Sequence, residues 1–449
     1  MMQQFLSRCK DAAERLKGKE RITVFGHRDA DGICASVIIK RCLPDKDVNI
    51  IIIRHSTDFN ELASQCGDSF PVFVDYGSSE LRNIEAHFDD FMILDHHPTK
   101  EFHTKMVNPW EHGIDGTRDL SGAGVAYLVA REVDPAYRSL SSIAIIGEMG
   151  DKIYLSGFRG PSKSIIEDGF DSGAIISKGG NEEILLDGLG ISELPMSALE
   201  LANILDSCAS VNKPELGVDM MLGDKRAYSN ALSVYKDYNE RFKRQLDSII
   251  SNKERTDIEN AQHLAYFVYL DHIEPGFTGS LAEELILGMK EKPIVLVSNT
   301  PYGLKASARA TRSQVDAGVD LGRAMAYASS RTGGKGGGHD IAAGASFDAD
   351  KYERFKALMT LELFRQMGQR LKIMFEAEMP GEKEASSLAS SLAVDNERYR
   401  STSSIALSLD NKLYIMVLSE DIGTFKNTVD DLIVCLSSCK DIVTISRKG

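Results

Sequence analysis

The chain has 449 residues, a hydrophobic fraction of 43% and a formal net charge of −14. That length holds roughly two to four domains, no apolar run reaches the roughly 18 residues of a membrane span, and the charged, amphipathic N-terminus lacks a signal peptide's apolar stretch, so the expected compartment is the cytoplasm. Seven scattered cysteines without a CxxC pair exclude a disulfide framework and a structural zinc site, and the acidic total argues against broad attraction to nucleic acid.

The first hundred residues alternate between strand-like and helix-like runs. Residues 21–26 (RITVFG) predict a short strand, and 31–42 (DGICASVIIKRC) a helix that opens on an acid. Residues 48–54, 71–75 and 91–95 are further apolar, β-branched runs of the kind buried on both faces. Strands separated by helices imply βαβ units and a parallel sheet. A helical run starts at Ser121-Gly-Ala-Gly, and an apolar segment over 142–150 ends at Asp151. Residues 155–225 are glycine-rich with short helical patches, and 228–250 reads as a long amphipathic helix. A second α/β unit follows, with strands at 263–270 and 293–298 around a helix at 280–290. Between Lys305 and Lys335 stand six bases against two acids, a local excess inside an acidic protein. The glycine loop Gly333-Gly-Lys-Gly-Gly-Gly-His339-Asp-Ile-Ala-Ala-Gly344 comes next. After about residue 370, strands at 403–409 and 413–418, a helix near 424–437 and a final strand at 442–445 predict a small β-β-α-β module.

His27, Asp75 and Asp95 each end an apolar strand, and ligands in open α/β sheets bind beyond the carboxyl ends of the strands. His27, Asp29 and Asp31 alternate, so an extended chain points all three one way, and Gly32 permits a tight turn into the helix. Carboxylates this close repel unless a cation intervenes. With Asp75, Asp95 and Asp151 on the same edge, the simplest resolution is a divalent ion. Imidazole and carboxylate without thiolate favour Mn²⁺ or Mg²⁺. In the glycine loop, Gly336, Gly337 and Gly338 carry no side chains, so their N–H groups can approach a phosphate, with His339 beside them.

These motifs resemble the DHH phosphoesterase superfamily. HRDADG resembles its first motif, VDYG with Asp75 the second, LDHHP with Asp95-His96-His97 the third, and Gly150-Asp151 the fourth; GGKGGGHDIAAG resembles the signature of its C-terminal substrate domain. The combination occurs in RecJ-like exonucleases and nanoRNases, and the spacing is most similar to archaeal RecJ-like proteins over about residues 20–370. The resemblance implies two divalent ions, Mn²⁺ or Mg²⁺. His27 and Asp29 would bind one, and Asp31, His96 and Asp151 the other, with Asp75 bridging. His97 would contact the scissile phosphate and Asp95 would orient the histidine ligands. Arg309 in Ser307-Ala308-Arg309 would bind a nucleotide phosphate, with Arg312 in reserve, alongside Gly336, Gly337, Gly338 and His339.

The expected fold is α/β: a parallel-sheet catalytic domain (1–225), a connecting helix (226–260), a smaller α/β substrate-binding domain (261–372) and a C-terminal α+β module (373–449). The expected activity is exonucleolytic hydrolysis of single-stranded DNA or RNA to nucleoside 5′-monophosphates. The alternatives are a nanoRNase acting on very short oligomers and a nuclease that also partners a replication protein of GINS type. A family II pyrophosphatase shares the first domain but not the GGGH loop.

Overall fold

The computed structural model describes residues 2–53, 58–177, 184–186, 189–190, 195–251, 263–274, 276–368, 371–394 and 402–446. It divides into two compact units, Met1–Arg241 and Phe242–Gly449. Among the described residues, no helix is long and apolar enough to cross a membrane.

The first unit contains α1 (Met2–Lys17), β1 (Arg21–Gly26), α2 (Ala30–Arg41), β2 (Asp47–Ile52), α3 (Phe59–Cys66), β3 (Phe70–Val74), α4 (Leu81–His87), β4 (Met92–Leu94) and β5 (Met106–Val107). It continues through α5 (Gly122–Val133), α6 (Ser141–Gly150), α7 (Gly160–Asp171), β6 (Leu185–Leu186), β7 (Met196–Ser197), α8 (Ala198–Ser210), α9 (Pro214–Met221) and into α10 (Lys225–Ile250), within which the boundary between units falls. Strands β1 to β5 form a parallel sheet in the order β2-β1-β3-β4-β5. Both faces are covered. Ile22, Val24, Val72 and Val74 join a core with Phe5 of α1, Ile38 of α2 and Val125 of α5. Phe25, Phe73 and Ile93 turn the other way, onto Phe59 of α3 and Ile84 of α4. Double coverage is why these strands read as unbroken apolar runs rather than alternating ones. Helix α2 is buried from Ala30 to Ile39, which removes the polar stripe that a surface helix would keep. Residue 54, the expected end of the second strand, lies outside the described residues.

The second unit opens with β8 (Tyr266–Leu270), α11 (Phe277–Gly288), β9 (Ile294–Thr300), β10 (Gly303–Arg309), α12 (Arg312–Asp316), α13 (Leu321–Ser329), β11 (Lys335–Gly338), β12 (Ala342–Phe347) and α14 (Tyr352–Gln366). Its sheet runs β11-β12-β10-β9-β8 and is antiparallel except for the β8–β9 pair. Leu304, Ala306, Ala308, Ala343, Ala345 and Phe347 pack with residues of α13 and α14. The chain ends with β13 (Leu371–Glu378), α15 (Glu382–Val394), β14 (Thr402–Leu409), β15 (Lys412–Ser419) and α16 (Ile422–Ser446), whose sheet order is β13-β15-β14.

Two expectations change. The strand expected at 442–445 is the continuation of α16. Its β-branched residues favour a strand, but they continue a helix that starts at Ile422, so context overrides the propensity. The glycine run is also not a loop. Gly336, Gly337 and Gly338 lie in edge strand β11, paired antiparallel to β12. The glycines let this strand lie close to its neighbours. A Cβ on Gly336 would stand 2.8 Å from both Ala345 Cβ and Ser329 Oγ, one on Gly334 would meet the Ser346 carbonyl oxygen at 1.7 Å, and Gly338 has φ +134°. On the opposite face, a Cβ on Gly337 would meet nothing within 4 Å.

This contrast is testable by denaturant unfolding. Gly336→Ala is expected to destabilise the protein by about 1–3 kcal/mol through overpacking, whereas Gly337→Ala stays within about 0.5 kcal/mol of wild type, as an unobstructed surface substitution should.

Candidate functional site

The residues expected to cluster come from four places along the carboxyl edge of the first unit's sheet. His27 follows β1, with its N–H donating to Val74 O at 3.3 Å, and the N–H groups of Asp75 and Asp95 donate to Leu94 O at 2.9 Å and Val107 O at 3.1 Å. Each strand therefore extends its hydrogen bonding one residue beyond the last apolar position, and that residue carries the functional side chain. Asp151 comes from the C-terminal end of α6, where its N–H donates to Gly147 O at 2.9 Å.

The alternation expected for His27, Asp29 and Asp31 does not operate. Asp29 caps α2, accepting the Gly32 N–H at 3.1 Å, and Asp31 already lies in the helix's first turn. Strand-to-helix reversal therefore sends these side chains to different partners. His27, Asp29 and Asp75 present ligand atoms within 4.8 Å of one another, and so do Asp31, His96 and Asp151. Asp75 lies between the two sets: its Oδ2 is 3.5 Å from His27 Nδ1 and its Oδ1 is 3.2 Å from His96 Nε2. Asp75 is buried and holds φ at +53°, a left-handed conformation uncommon for a residue with a Cβ.

His96 is locked from behind. Its Nδ1–H donates to the Gly116 carbonyl at 2.7 Å, which directs Nε2 at Asp75 (3.2 Å), Asp151 (3.3 Å) and Asp31 (3.8 Å). Yet His96 Nε2 and Asp75 Oδ1 are buried and make no hydrogen bond of acceptable geometry. Buried polar atoms are rarely left so. Two cationic species satisfy them: a proton on the imidazole or a divalent ion. Burial alone would lower the His96 pKa, but Asp151, Asp75 and Asp31 outweigh it and raise it well above the ordinary value. His27 behaves alike, with Asp29 and Asp75 overcoming burial. The Asp31 pKa is also pushed upward, by burial and by Asp75 and Asp151, which for a carboxyl disfavours the charged form. The cluster calls for positive charge, and its mixed imidazole and carboxylate donors fit a divalent ion of the Mn²⁺ or Mg²⁺ kind.

Asp95 has a narrower task than expected. It accepts the N–H groups of Ser78 at 2.8 Å, His96 at 2.8 Å and His97 at 3.3 Å, and the His97 Nδ1–H at 2.8 Å. It therefore orients the His97 ring, while Gly116 orients that of His96. Burial opposes charge on Asp95, but His97 and His96 hold its carboxyl well below the usual range.

Other contributors carried no signal in the sequence. The Ser121 hydroxyl and the Gly122 and Ala123 N–H groups donate to Asp31 at 2.7, 2.7 and 2.9 Å. Trp110 Nε1–H donates to His96 O at 2.9 Å, and Asp206 of α8 accepts the Ala30 N–H at 2.8 Å. Glu148 stands apart from the ligand sets. It is buried beside Ser121, and burial pushes its carboxyl up to about 8. Ser121 was readable as a helix start; its hold on Asp31 was not.

In the second unit, strand register assembles the remaining expected residues. Arg309 ends β10 opposite Ala342 of β12, Gly338 of β11 pairs with Ala343, and the His339 N–H donates to Ala342 O at 2.8 Å. Arg309, Gly338 and His339 thus share one end of the sheet. The Arg309 guanidinium lies against α11, where a Cβ on Gly279 would approach it to 3.0 Å, and its Nε is 4.0 Å from Glu283. Arg312 stands 3.9 Å from Asp340. Arg323 pairs with Glu362 at 2.6 Å, and Arg331 stacks over Tyr327 at 4.0 Å. The local basic excess is therefore partly structural.

Residues 21–150 match the family model for the DHH family N-terminal domain, and residues 263–363 match the DHHA1 domain. An uncharacterized protein, MJ0831 of Methanocaldococcus jannaschii, is 25% identical, with 74% of this chain and 91% of the relative covered. Among solved structures, RecJ from Thermus thermophilus in complex with Mn²⁺ aligns with a TM-score of 0.63 at 18% identity over 80% of this chain. The chain spans 55% of that RecJ's length. An exonuclease RecJ bound to manganese aligns with a TM-score of 0.59, also at 18% identity, over 80% of this chain and 94% of the other. Identity at this level speaks for the fold. With the DHH and DHHA1 domains in order along one chain of RecJ-like fold, the chain belongs to the DHH phosphoesterase superfamily.

Proposed function

We propose that this protein is a metal-dependent exonuclease that hydrolyses phosphodiester bonds at an end of single-stranded DNA or RNA and releases nucleoside 5′-monophosphates. The reading is carried by the buried meeting of His96 Nε2 with Asp75, Asp151 and Asp31, which leaves polar atoms without hydrogen bonds until a cation is present. His27, Asp29 and Asp75 would hold one divalent ion, and Asp31, His96, Asp151 and Asp75 the other. Such ions, when bound, neutralise phosphate charge and make water a nucleophile near neutral pH.

The chain's own residues complete the chemistry. His97 donates to a phosphate oxygen as negative charge accumulates. Asp95 aims it and favours its charged form, since its carboxylate opposes the effect of burial on the imidazole and raises its pKa. Gly116 and Trp110 fix the His96 segment, so that residue enters the site as one tautomer. In the second unit, Arg309, His339 and the outward-facing N–H groups of the Gly336–Gly338 strand offer donors for a nucleotide phosphate. Because β11 is an edge strand and Gly337 has no atom within 4 Å of its Cβ position, backbone can approach a ligand there without side-chain interference. Likeness in fold to an exonuclease RecJ bound to manganese supports a nucleic-acid phosphodiester as substrate.

Two expected outcomes check this reading. Chelator-treated protein should melt at a higher temperature when Mn²⁺ is added, by an amount corresponding to about 2.7 kcal/mol at a hundredfold excess over Kd. Asp75→Asn should abolish that shift, because Asp75 faces both ligand sets. Separately, end-labelled DNA and RNA, from dimers to strands of several tens of nucleotides, should be shortened to mononucleotides with Mn²⁺. His97→Ala should lower kcat by roughly 10²–10⁴ with little change in Mn²⁺ binding. Cleavage confined to dimers through pentamers would assign the protein to the nanoRNases instead.

A further inference from the structure

Asp31, which belongs to one of the two ligand sets, is held by three fixed donors. Its Oδ1 accepts two hydrogen bonds, from the Ser121 hydroxyl at 2.7 Å and the Ala123 N–H at 2.9 Å. Its Oδ2 accepts one, from the Gly122 N–H at 2.7 Å. A carboxylate oxygen has two lone pairs, so Oδ1 is saturated and Oδ2 keeps one. That oxygen faces the cluster, 3.8 Å from His96 Nε2.

The surroundings prevent Asp31 from turning. A Cβ on Gly147 would stand 2.5 Å from Asp31 Oδ1, and one on Gly122 would stand 3.0 Å from Oδ2 and 2.7 Å from Asp75 Cβ. Glycine at both positions lets α5 and α6 close on the carboxylate. Behind them, the Ser121 N–H is oriented by Glu148 Oε1 at 3.4 Å. Asp31 itself is only 2% exposed, so water does not compete for its lone pairs.

We infer that Ser121, with the first turn of α5, acts as a metal-selectivity determinant by restricting Asp31 to a single available lone pair. The inference rests on the proposed metal reading and names what it leaves open, which ion is preferred and why. Mg²⁺ and ions of similar size take six ligands in near-octahedral geometry, which one-point carboxylates supply. Ca²⁺ takes six to eight oxygens and commonly uses both oxygens of a carboxylate. With Oδ1 saturated, Asp31 cannot serve in that second way. Ser121 is a positioning residue: it acts on the ion through Asp31 and touches no substrate.

The test is calorimetric titration of MnCl₂ and CaCl₂ into the chelator-treated full chain, with no activity measured. Ser121→Gly deletes the hydroxyl while retaining a residue that helix N-caps tolerate. Ala123→Pro removes the second Oδ1 donor in the first turn of α5, where the N–H has no intrahelical partner to lose. In both variants the Kd for Mn²⁺ is expected to rise by about 10–100-fold, the usual effect of losing a group that orients a ligand. The Kd for Ca²⁺ should rise less or fall, so the ratio of Ca²⁺ to Mn²⁺ dissociation constants drops by about tenfold or more. Ser121→Thr, which keeps the hydroxyl, should retain the wild-type ratio. A merely structural loss would weaken both ions together and leave the ratio unchanged, and that result in folded Ser121→Gly or Ala123→Pro overturns the inference. Absence of Mn²⁺ binding by the wild type is a different result: it would remove the metal reading itself, and the role of Ser121 with it.

Discussion

Carboxylates and imidazoles crowded beyond the end of a parallel sheet cannot share one buried space without positive charge, and the first unit is arranged around that constraint. Asp31, Asp75, Asp95 and His96 are all nearly inaccessible to solvent, so water offers little screening and each charge is felt by its neighbours. The protein meets the demand in two ways. Fixed donors take up the lone pairs that face away from the cluster, as at Asp95 and Asp31. The lone pairs that face inward are left for a cation.

The same constraint explains several local oddities of the backbone. Gly116 is required because a Cβ there would meet His96 O at 2.0 Å, and Gly32 because one would meet His27 O at 2.3 Å. Asp75 adopts φ +53° without being glycine, a cost that surrounding structure must outweigh. Burial of both sheet faces supplies the rigidity. The apolar residues of β1, β3 and β4 fix where each strand ends, and the chemical groups lie one residue further on.

Much of this was legible from the residues alone. Continuous apolar runs identified the strands, and the polar residue ending each run located the edge at which the groups would gather. What was not legible depended on contacts distant in sequence. Nothing near Ser121 announces that its hydroxyl reaches a carboxylate 90 residues earlier. The hydrogen bond from His96 to Gly116 is equally non-local; it orients the His96 ring, while Asp95 binds the His97 ring and the backbone N–H groups of both histidines. The alternating spacing of His27, Asp29 and Asp31 suggested an extended segment, but the helix begins one residue after Asp29, and capping by that acid decided the conformation. The glycine run looked like a loop because glycine ordinarily weakens strands. It is a strand that needs glycine at Gly336 and Gly338, which pack too closely on α13 and β12 to carry side chains.

The hydrogen bond from the Ala30 N–H to Asp206 joins positions 176 apart, and it bears on how such a site comes into being. A ribosome delivers the HRDAD segment and the Asp-His-His triplet long before α8 exists. Contacts this distant in sequence form late, because a long loop must close before they return any free energy. Until then, the acidic residues at the start of α2 lack one of the anchors that fix their direction. The order of synthesis therefore separates the making of the ligands from the making of the centre, and a nascent chain carries the full set of chemical groups before it has the framework that gives them a common focus.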